Sequence, residues 1–377
     1  MPFSRNVSYS LLLAIFSSLA VQDLFGQAPK PEPDVLIFTN GEKLIGEFER
    51  STGDSLTFKS EMAGEVKVDW SKIKELRTSK PFAVIRKNVK VQKNVNVQQV
   101  PQGSLTATAQ QIEIHTAEHP PEAVPVGEAA YVVDKATFEK VLLHHPGILQ
   151  AWQGAVTGGV SLVEATQNSQ TFTGGIALVR AVPTVEWLDP RNRTIVDFSA
   201  SSGKLTQPNT PTVKTSIYHA DAEYDKYFTS RVFGFAQLAY DHNFSQGLDL
   251  QQNYGGGLGW TALKSSNQTL DLKASANYLH QQFQISQNNQ SLIGSTFGER
   301  YSRTLHKSIL FTEQLSFIPA WNNTAAFSAL GSAGLTMPVY KRLSLALSAI
   351  DTFLNDPPPG FKKNSFQLTT GLSYTLP

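Results

Sequence analysis

Residues 269–278 read TLDLKASANY. Leu270, Leu272, Ala274, Ala276 and Tyr278 fall on one side of this stretch, and Asp271, Lys273, Ser275 and Asn277 on the other. Side chains of an extended strand alternate between its faces, so this is a strand with one apolar and one wet side. The pattern recurs at Tyr218, Ala220, Ala222 and Tyr224 against His219, Asp221, Glu223 and Asp225. It returns at Leu343, Leu345, Leu347 and Ala349, and at Phe366, Leu368, Leu372, Tyr374 and Leu376. Working outward, the chain beyond Trp152 resolves into about twelve strands. They are expected at 151–163, 171–182, 194–204, 215–227, 231–242, 251–263, 269–283, 299–305, 308–319, 324–338, 343–354 and 365–376.

Two-faced sheets also exist in water, but several features point to a bilayer. Many of these strands reach the ~10 residues that a tilted strand needs to cross one. Aromatic residues stand near strand ends, as interfacial girdles require: Trp152, Phe172, Tyr227, Tyr254, Trp260, Tyr278, Trp321 and Phe353. The wet face carries Asp197, Asp221, Glu223, Asp225, Asp271 and Lys273 in mid-strand, which a dry sandwich core would not accept unpaired. Polar loops near 202–212, 286–295 and 356–360, set against tight turns at Ser230 and Asn322-Asn323, give the asymmetry of an outer-membrane barrel. Two strands break the rule. Glu313 shares a face with Phe311, Leu315 and Phe317, and Gln237 with Phe233 and Phe235, which predicts a bulge or a contact with the preceding domain.

The chain has 377 residues, 32 basic against 31 acidic, and no basic block, so nucleic acid is not an expected partner. It has no cysteine, which excludes disulfides, thiolate metal sites and a cysteine nucleophile. Residues 1–28 read as a secretory signal: Arg5, an apolar run from Leu11 to Val21, then Gly26-Gln27-Ala28 as a small-x-small cleavage site.

Residues 34–116 read as a small periplasmic β-domain. Its core, 34–78, has five short strands with turns at Asn40-Gly41, Thr52-Gly53-Asp54 and Ala63-Gly64, and one helical turn at Trp70 before the last strand. That is the pattern of an SH3-like barrel. Residues 117–150 are expected to be a linker, broken by Pro120, Pro121 and Pro125, with a short helix from Lys135 to Leu143. Asp134 caps that helix, and Phe138, Val141 and Leu142 point inward. Residues 151–377 form the barrel.

Several landmarks in the barrel resemble one family. Trp152-x-Gly154 followed by Gly158-Gly159-Val160 is similar to its first strand. Tyr224-Asp225-x-x-Phe228, Leu258-Gly259-Trp260 and the run from Pro357 to Lys363 are similar to its later ones. The family is domain of unknown function 481, also called the salt-induced outer membrane proteins. The resemblance covers about 151–376 and implies an outer-membrane barrel with no established activity or ligand. Asn364-Ser365 departs from the aspartate common after the closing loop. The alternating C-terminal segment resembles the signal read by the outer-membrane assembly machinery, although it ends on Leu376-Pro377 in place of an aromatic residue.

Candidate chemistry is sparse. His219, Asp221, Glu223 and Asp225 share one face, but same-face neighbours stand ~7 Å apart, so a metal would need ligands from another strand. A lumen-facing acidic row balanced by Lys204, Arg231 or Lys273 is the simpler reading. His144-His145 at the helix end do not face one another, and Gly255-Gly256-Gly257 precedes no helix, so it marks a bend or close contact, not a phosphate loop. The string 241–247 superficially resembles the His and Ser pair of outer-membrane phospholipases, but His242 and Ser245 fall on opposite faces of an unbroken strand.

The expectation is therefore an all-β chain: a transmembrane antiparallel barrel of about twelve strands preceded by a small SH3-like domain. It is expected to be non-enzymatic, with no metal or cofactor, and to act as a structural barrel or narrow pore. Its lumen-facing candidates are His219, Asp221, Glu223, Asp225, Asp271 and Lys273. Its expected partners are outer-membrane lipid, the assembly machinery and a periplasmic partner of the small domain. A lipid hydrolase using His242 and a soluble periplasmic β-sandwich binding module are the alternatives.

Overall fold

Gly41, Gly53 and Gly64 take positive φ (90°, 59° and 70°), a region closed to most side chains, and each turns the chain where the sequence predicts a hairpin. They separate β1 (Asp34–Phe38), β2 (Lys43–Thr52), β3 (Ser55–Ser60) and β4 (Gly64–Asp69). A 3-10 turn, Trp70–Lys72, leads into β5 (Ile73–Arg77). Then follow β6 (Phe82–Arg86), β7 (Gln102–Ala107), β8 (Gln111–His115), β9 (Glu122–Pro125) and β10 (Ala129–Asp134). The computed structural model describes residues 32–89, 100–116, 120–143, 146–164, 168–185, 188–207, 210–265 and 267–376; the signal sequence expected at 1–28 and His144-His145 lie outside them. The chain divides into two units, 1–140 and 141–377.

In the first unit, β1 pairs with both β2 and β5, and the ring closes through β7, β6 and β10 back to β2. Its centre is filled by Leu36, Phe48, Phe58, Phe82, Leu105 and Ile112, each at most 2% exposed. Burying each such side chain is worth roughly 1.5–3 kcal/mol. Trp70 Nε1 donates to Ser51 Oγ at 2.9 Å, which satisfies the indole inside the core. Buried Asp34 accepts from the backbone N–H of Phe48 and of Ser79, both at 2.8 Å, and so fastens the start of β1 to two other segments.

The ring corrects one boundary. β10 lies inside the stretch 117–150 expected to be a linker. The prolines that suggested a break flank or end β9, an edge strand paired only with β8, where a missing N–H costs no ladder bond. The helical segment from Lys135 to Leu143 is present, with Thr137 N donating to Asp134 Oδ1 at 2.9 Å and Phe138 fully buried.

The second unit is a closed barrel of twelve strands: β11 (Gln153–Glu164), β12 (Asn168–Val182), β13 (Asn192–Thr206), β14 (Val213–Tyr227), β15 (Val232–Asn243), β16 (Leu248–Lys264), β17 (Gln268–Phe283), β18 (Gln290–Thr304), β19 (Leu310–Ile318), β20 (Ser328–Tyr340), β21 (Leu343–Leu354) and β22 (Asn364–Thr375). Each is antiparallel to its neighbour. β22 closes against β11 over only four register positions, from Ala155↔Thr375 to Gly158↔Leu372. Among the described residues no helix is long and apolar enough to cross a membrane, a statement that leaves strands untouched.

Phe172, Phe198, Leu238, Leu258, Leu272, Phe297 and Leu368 stand exposed on the outer wall, while Glu223, Asn253, Asp271 and Asn277 are buried inside. Apolar side chains out and polar side chains in is the inverse of a water-soluble fold.

Five details differ from expectation. β18 begins at Gln290, so most of the loop expected at 286–295 is strand; small residues such as Ser291 and Gly294 hid the alternation of Ile293 with Phe297. Ser202 to Thr206 likewise belongs to β13. Asn322-Asn323 is part of the 319–327 connection, on the same end as the other long loops; the tightest turn is Lys341-Arg342 at the opposite end. Tyr227 is no girdle residue, because it is only 7% exposed and packs inside against Phe233 at 5.0 Å. Glu313 faces outward with β19 in unbroken register to both neighbours, so no bulge accounts for it.

Candidate functional site: the barrel interior

His219, Asp221, Glu223 and Asp225 on β14, and Asp271 and Lys273 on β17, all point inward. The acidic row does not face an empty lumen. Arg193 of β13 donates from Nε to Asp225 Oδ2 at 2.6 Å and lies 2.8 Å from Asp271 through Nη1. Lys273 Nζ reaches Glu223 Oε2 at 2.5 Å, and Arg300 Nη2 of β18 reaches Asp197 Oδ2 of β13 at 3.4 Å. Arg193 and Asp225 lie directly opposite on adjacent strands, whereas the other three pairs join strands that are not neighbours in the wall and so cross the interior.

Aromatic rings seal them from one side. The Arg193 guanidinium sits 5.3 Å from the Phe233 ring centre, and Lys273 Nζ 5.4 Å from that of Phe235. Phe233 finds its place because Gly259 has no side chain: a Cβ there would come within 2.2 Å of the ring. Within the Gly255-Gly256-Gly257 run the close contact is at Gly257, where a Cβ would come within 2.0 Å of the Ala274 carbonyl oxygen. Gln237, the break in the alternation of β15, simply shares the inner face with these two rings.

A second cradle surrounds His219. Its Nδ1 lies 2.6 Å from Asp241 Oδ1 and its Nε2 3.0 Å from Asp221 Oδ1. Gln251 Nε2 donates to Asp241 Oδ2 at 3.0 Å, and Gln281 Nε2 to Gln251 Oε1 at 2.7 Å. Among the described residues no group of three or more His, Asp and Glu is arranged to hold a metal ion. The cause is visible in the pairing: each member of the β14 row is already bound to its own internal partner. Of the cations expected to balance the row, Lys273 does so. Lys204 instead stands on the outer face opposite Lys214, and Arg231 lies in the β14–β15 turn. Arg193 takes their place at Asp225, while Arg300 balances Asp197 of β13; the strands of both arginines lacked the regular alternation that would have marked them.

Charge is confined to one side of the interior. The inner faces of β20, β21, β22, β11 and β12 carry Ser332, Thr336, Ser348, Thr369, Gly371, Thr157, Gly159, Thr171 and Thr173, all half-buried or more open and all neutral. The centre of the charged wall is tightly buried, with Glu223 at 3%, Asp225 at 0% and Asp271 at 2%. Solvent therefore reaches the hydroxyl-lined wall and the partly open His219, Asp241 and Asp197 groups, but not the Glu223, Asp225 and Asp271 cluster.

Both mouths are narrowed. At the end remote from the termini, the turn Phe244–Gln246 reaches the opposite wall, where Gln246 Nε2 donates to the carbonyls of Thr352 at 3.1 Å and Lys363 at 2.7 Å. The Phe361 ring covers Gly247. Leu248, Phe283 and Leu354 form a buried apolar cluster beneath. At the other end, Asp189 in the β12–β13 connection pairs with Lys264 of β16 at 2.7 Å.

His242 faces outward, away from this interior. Ser245 does not bond to it; its N–H donates to Asn243 Oδ1 at 3.1 Å. His242 bonds Ser216 of β14, a partner that no local string of residues reveals, since cross-strand register brings it near.

Solved structures with a similar fold include the NanC porin, at 9% identity over 59% of this chain and 100% of that one, with a TM-score of 0.36. Others are the β-domain of the Bordetella autotransporter BrkA (10% identity, 60% and 98% covered, TM-score 0.31) and the translocator domain of the autotransporter NalP from Neisseria meningitidis (11%, 64% and 92%, TM-score 0.33). No curated protein matches the sequence. The model of one family matches residues 156–376, more than half of the chain and nearly all of the barrel. The chain belongs to that family, described as protein of unknown function, DUF481.

Proposed function

We propose that this protein is an outer-membrane barrel of a Gram-negative envelope that forms a narrow pore, with its open path along the neutral wall of the lumen. The observation that carries this reading is the segregation of the interior. Ion pairs, most of them between non-neighbouring strands, fill one side, and half-open Ser, Thr and Gly residues line the other. A barrel of this strand number is narrow enough for side chains to occupy much of it. In the interior pairs, the carboxylates of Asp197, Asp221, Glu223, Asp225, Asp241 and Asp271 outnumber the cations Arg193, Lys273 and Arg300, so the path favours cations.

The outer wall meets lipid, the C-terminal strand is handed to the assembly machinery, and the small domain lies in the periplasm to meet a partner there. Support for this topology comes from the barrel itself: β11 starts and β22 ends at the same mouth, the one with the two-residue turn. Membrane fractionation with heat-modifiability tests the reading, followed by conductance in planar bilayers. An outer-membrane band whose mobility changes on boiling, with small cation-selective steps, is the expected result. A protein freed by salt washing with no boiling shift overturns it in favour of a soluble periplasmic sheet.

A further inference from the structure

On the outer wall, the ladder between β15 and β16 is out of step: Asp241 pairs with Gln251, yet Asn243 pairs with Leu248. A second irregularity falls between Leu248 and Leu250 against β17. Irregularities of this kind turn backbone groups out of the ladder and re-aim side chains. Here they leave the Asp249 carbonyl 2.7 Å from His242 Nδ1. A carbonyl only accepts, so Nδ1 carries the proton, and in the neutral ring Nε2 is left as an acceptor. That nitrogen lies 2.8 Å from Ser216 Oγ. Tyr218, directly opposite His242, stacks on the imidazole at 5.5 Å and fixes its plane. A hydroxyl, a base and a group that orients the base are the elements of an activated serine.

The surroundings indicate a substrate. Tyr218, Tyr240, Tyr254 and Tyr278 stand exposed on four consecutive strands and form a belt at the end away from the termini. Two residues from Ser216 on the same face is Lys214, directly opposite Lys204, and both are exposed. Like charges facing one another across a ladder are unfavourable, and an anion between them relieves the repulsion.

We propose that Ser216 and His242 hydrolyse acyl esters of anionic lipids at the outer wall, with Lys204 and Lys214 holding the anionic headgroup. Ser216 Oγ bonds to the acyl carbon while its proton passes to His242 Nε2. The ester bond then breaks, and the alcohol leaves with that proton. Water, deprotonated by the same nitrogen, releases the fatty acid and restores Ser216, so the sum is ester plus water to acid plus alcohol. The lipid substrate rests on the membrane reading above; the pair itself does not.

The test uses the full-length protein, folded in detergent and shown to be heat-modifiable, with three probes: a fluorophosphonate, p-nitrophenyl butyrate and phosphatidylglycerol in mixed micelles. Ser216 is expected to be the labelled residue. Ester turnover should fall by about a hundredfold or more in Ser216→Ala and in His242→Ala, the usual contribution of a nucleophile's base, while Ser245→Ala is unchanged. Lys204→Ala with Lys214→Ala should raise KM for phosphatidylglycerol. Wild-type protein that neither labels at Ser216 nor turns over butyrate overturns the pair. Butyrate turnover with no hydrolysis of phosphatidylglycerol overturns the lipid substrate and leaves the pair standing.

Discussion

Arg193 of β13 and Asp271 of β17 meet inside the barrel at 2.8 Å, although their strands lie four apart in the wall. Arg193 also holds Asp225, which is fully buried. Removing one member of a buried ionic group leaves the others charged and unpaired, at a cost of roughly 3–5 kcal/mol. Arg193→Ala should therefore lower the temperature at which heat-modifiability is lost far more than Arg303→Ala, whose side chain is exposed on the outer face. Equal behaviour of the two variants would show that the crossing is not a structural tie.

The neutral wall is where solutes are expected to pass. Ser348→Arg places a long cation on the inner face of β21, opposite Thr369. It should reduce single-channel conductance and shift the reversal potential toward anions. Glu223→Gln, on the closed wall, should alter folding stability more than conductance. Currents that respond to the second substitution and not to the first would place the path on the wrong side.

Gln246 ties the β15–β16 turn to the far wall through two hydrogen bonds to backbone carbonyls. Gln246→Ala removes both, each with a net worth of about 1 kcal/mol. The expected outcome in planar bilayers is a larger or more frequently open channel with no change in barrel folding. An unchanged conductance trace would rule the turn out as an obstruction.

Leu258 is 62% exposed on the outer wall of β16. If that wall meets hydrocarbon, Leu258→Arg costs up to about 2–4 kcal/mol near the bilayer midplane. Folding into lipid vesicles, followed by urea titration, measures it. A change within error of zero would mean that this face meets water.

The strand pattern of the barrel was largely legible because its two faces meet opposite solvents, which writes the period into the sequence at 269–278 and 343–349. It failed where apolar residues fall on both faces in succession, as at Leu292, buried inside, and Ile293, exposed outside, in β18. The inward orientation of the β14 row was legible for the same reason. Its partners were legible only in part: Lys273 meets Glu223 from β17, but Arg193, directly opposite Asp225, sits on β13, where no regular alternation marks it. Tyr227 shows the limit of reading aromatics at strand ends: position along a strand is visible in the sequence, but which face a terminal residue takes depends on register. Ser216 was invisible as a partner of His242 because 26 residues separate them and only the β14–β15 pairing brings them together.

The twelve strands are not fastened equally. β16 and β17 are paired along nearly their whole length, from Leu248↔Phe283 to Lys264↔Thr269, whereas β11 and β22 share four positions. The joint between the first and last strands is thus the weakest line in the cylinder. It also links the two ends of the barrel sequence, so it is the contact with the greatest loop to close. Assembly would zip eleven neighbouring joints in chain order and leave this one for the end. Under stress the cylinder would unroll from the same line, well before the bridged wall on the far side gives way.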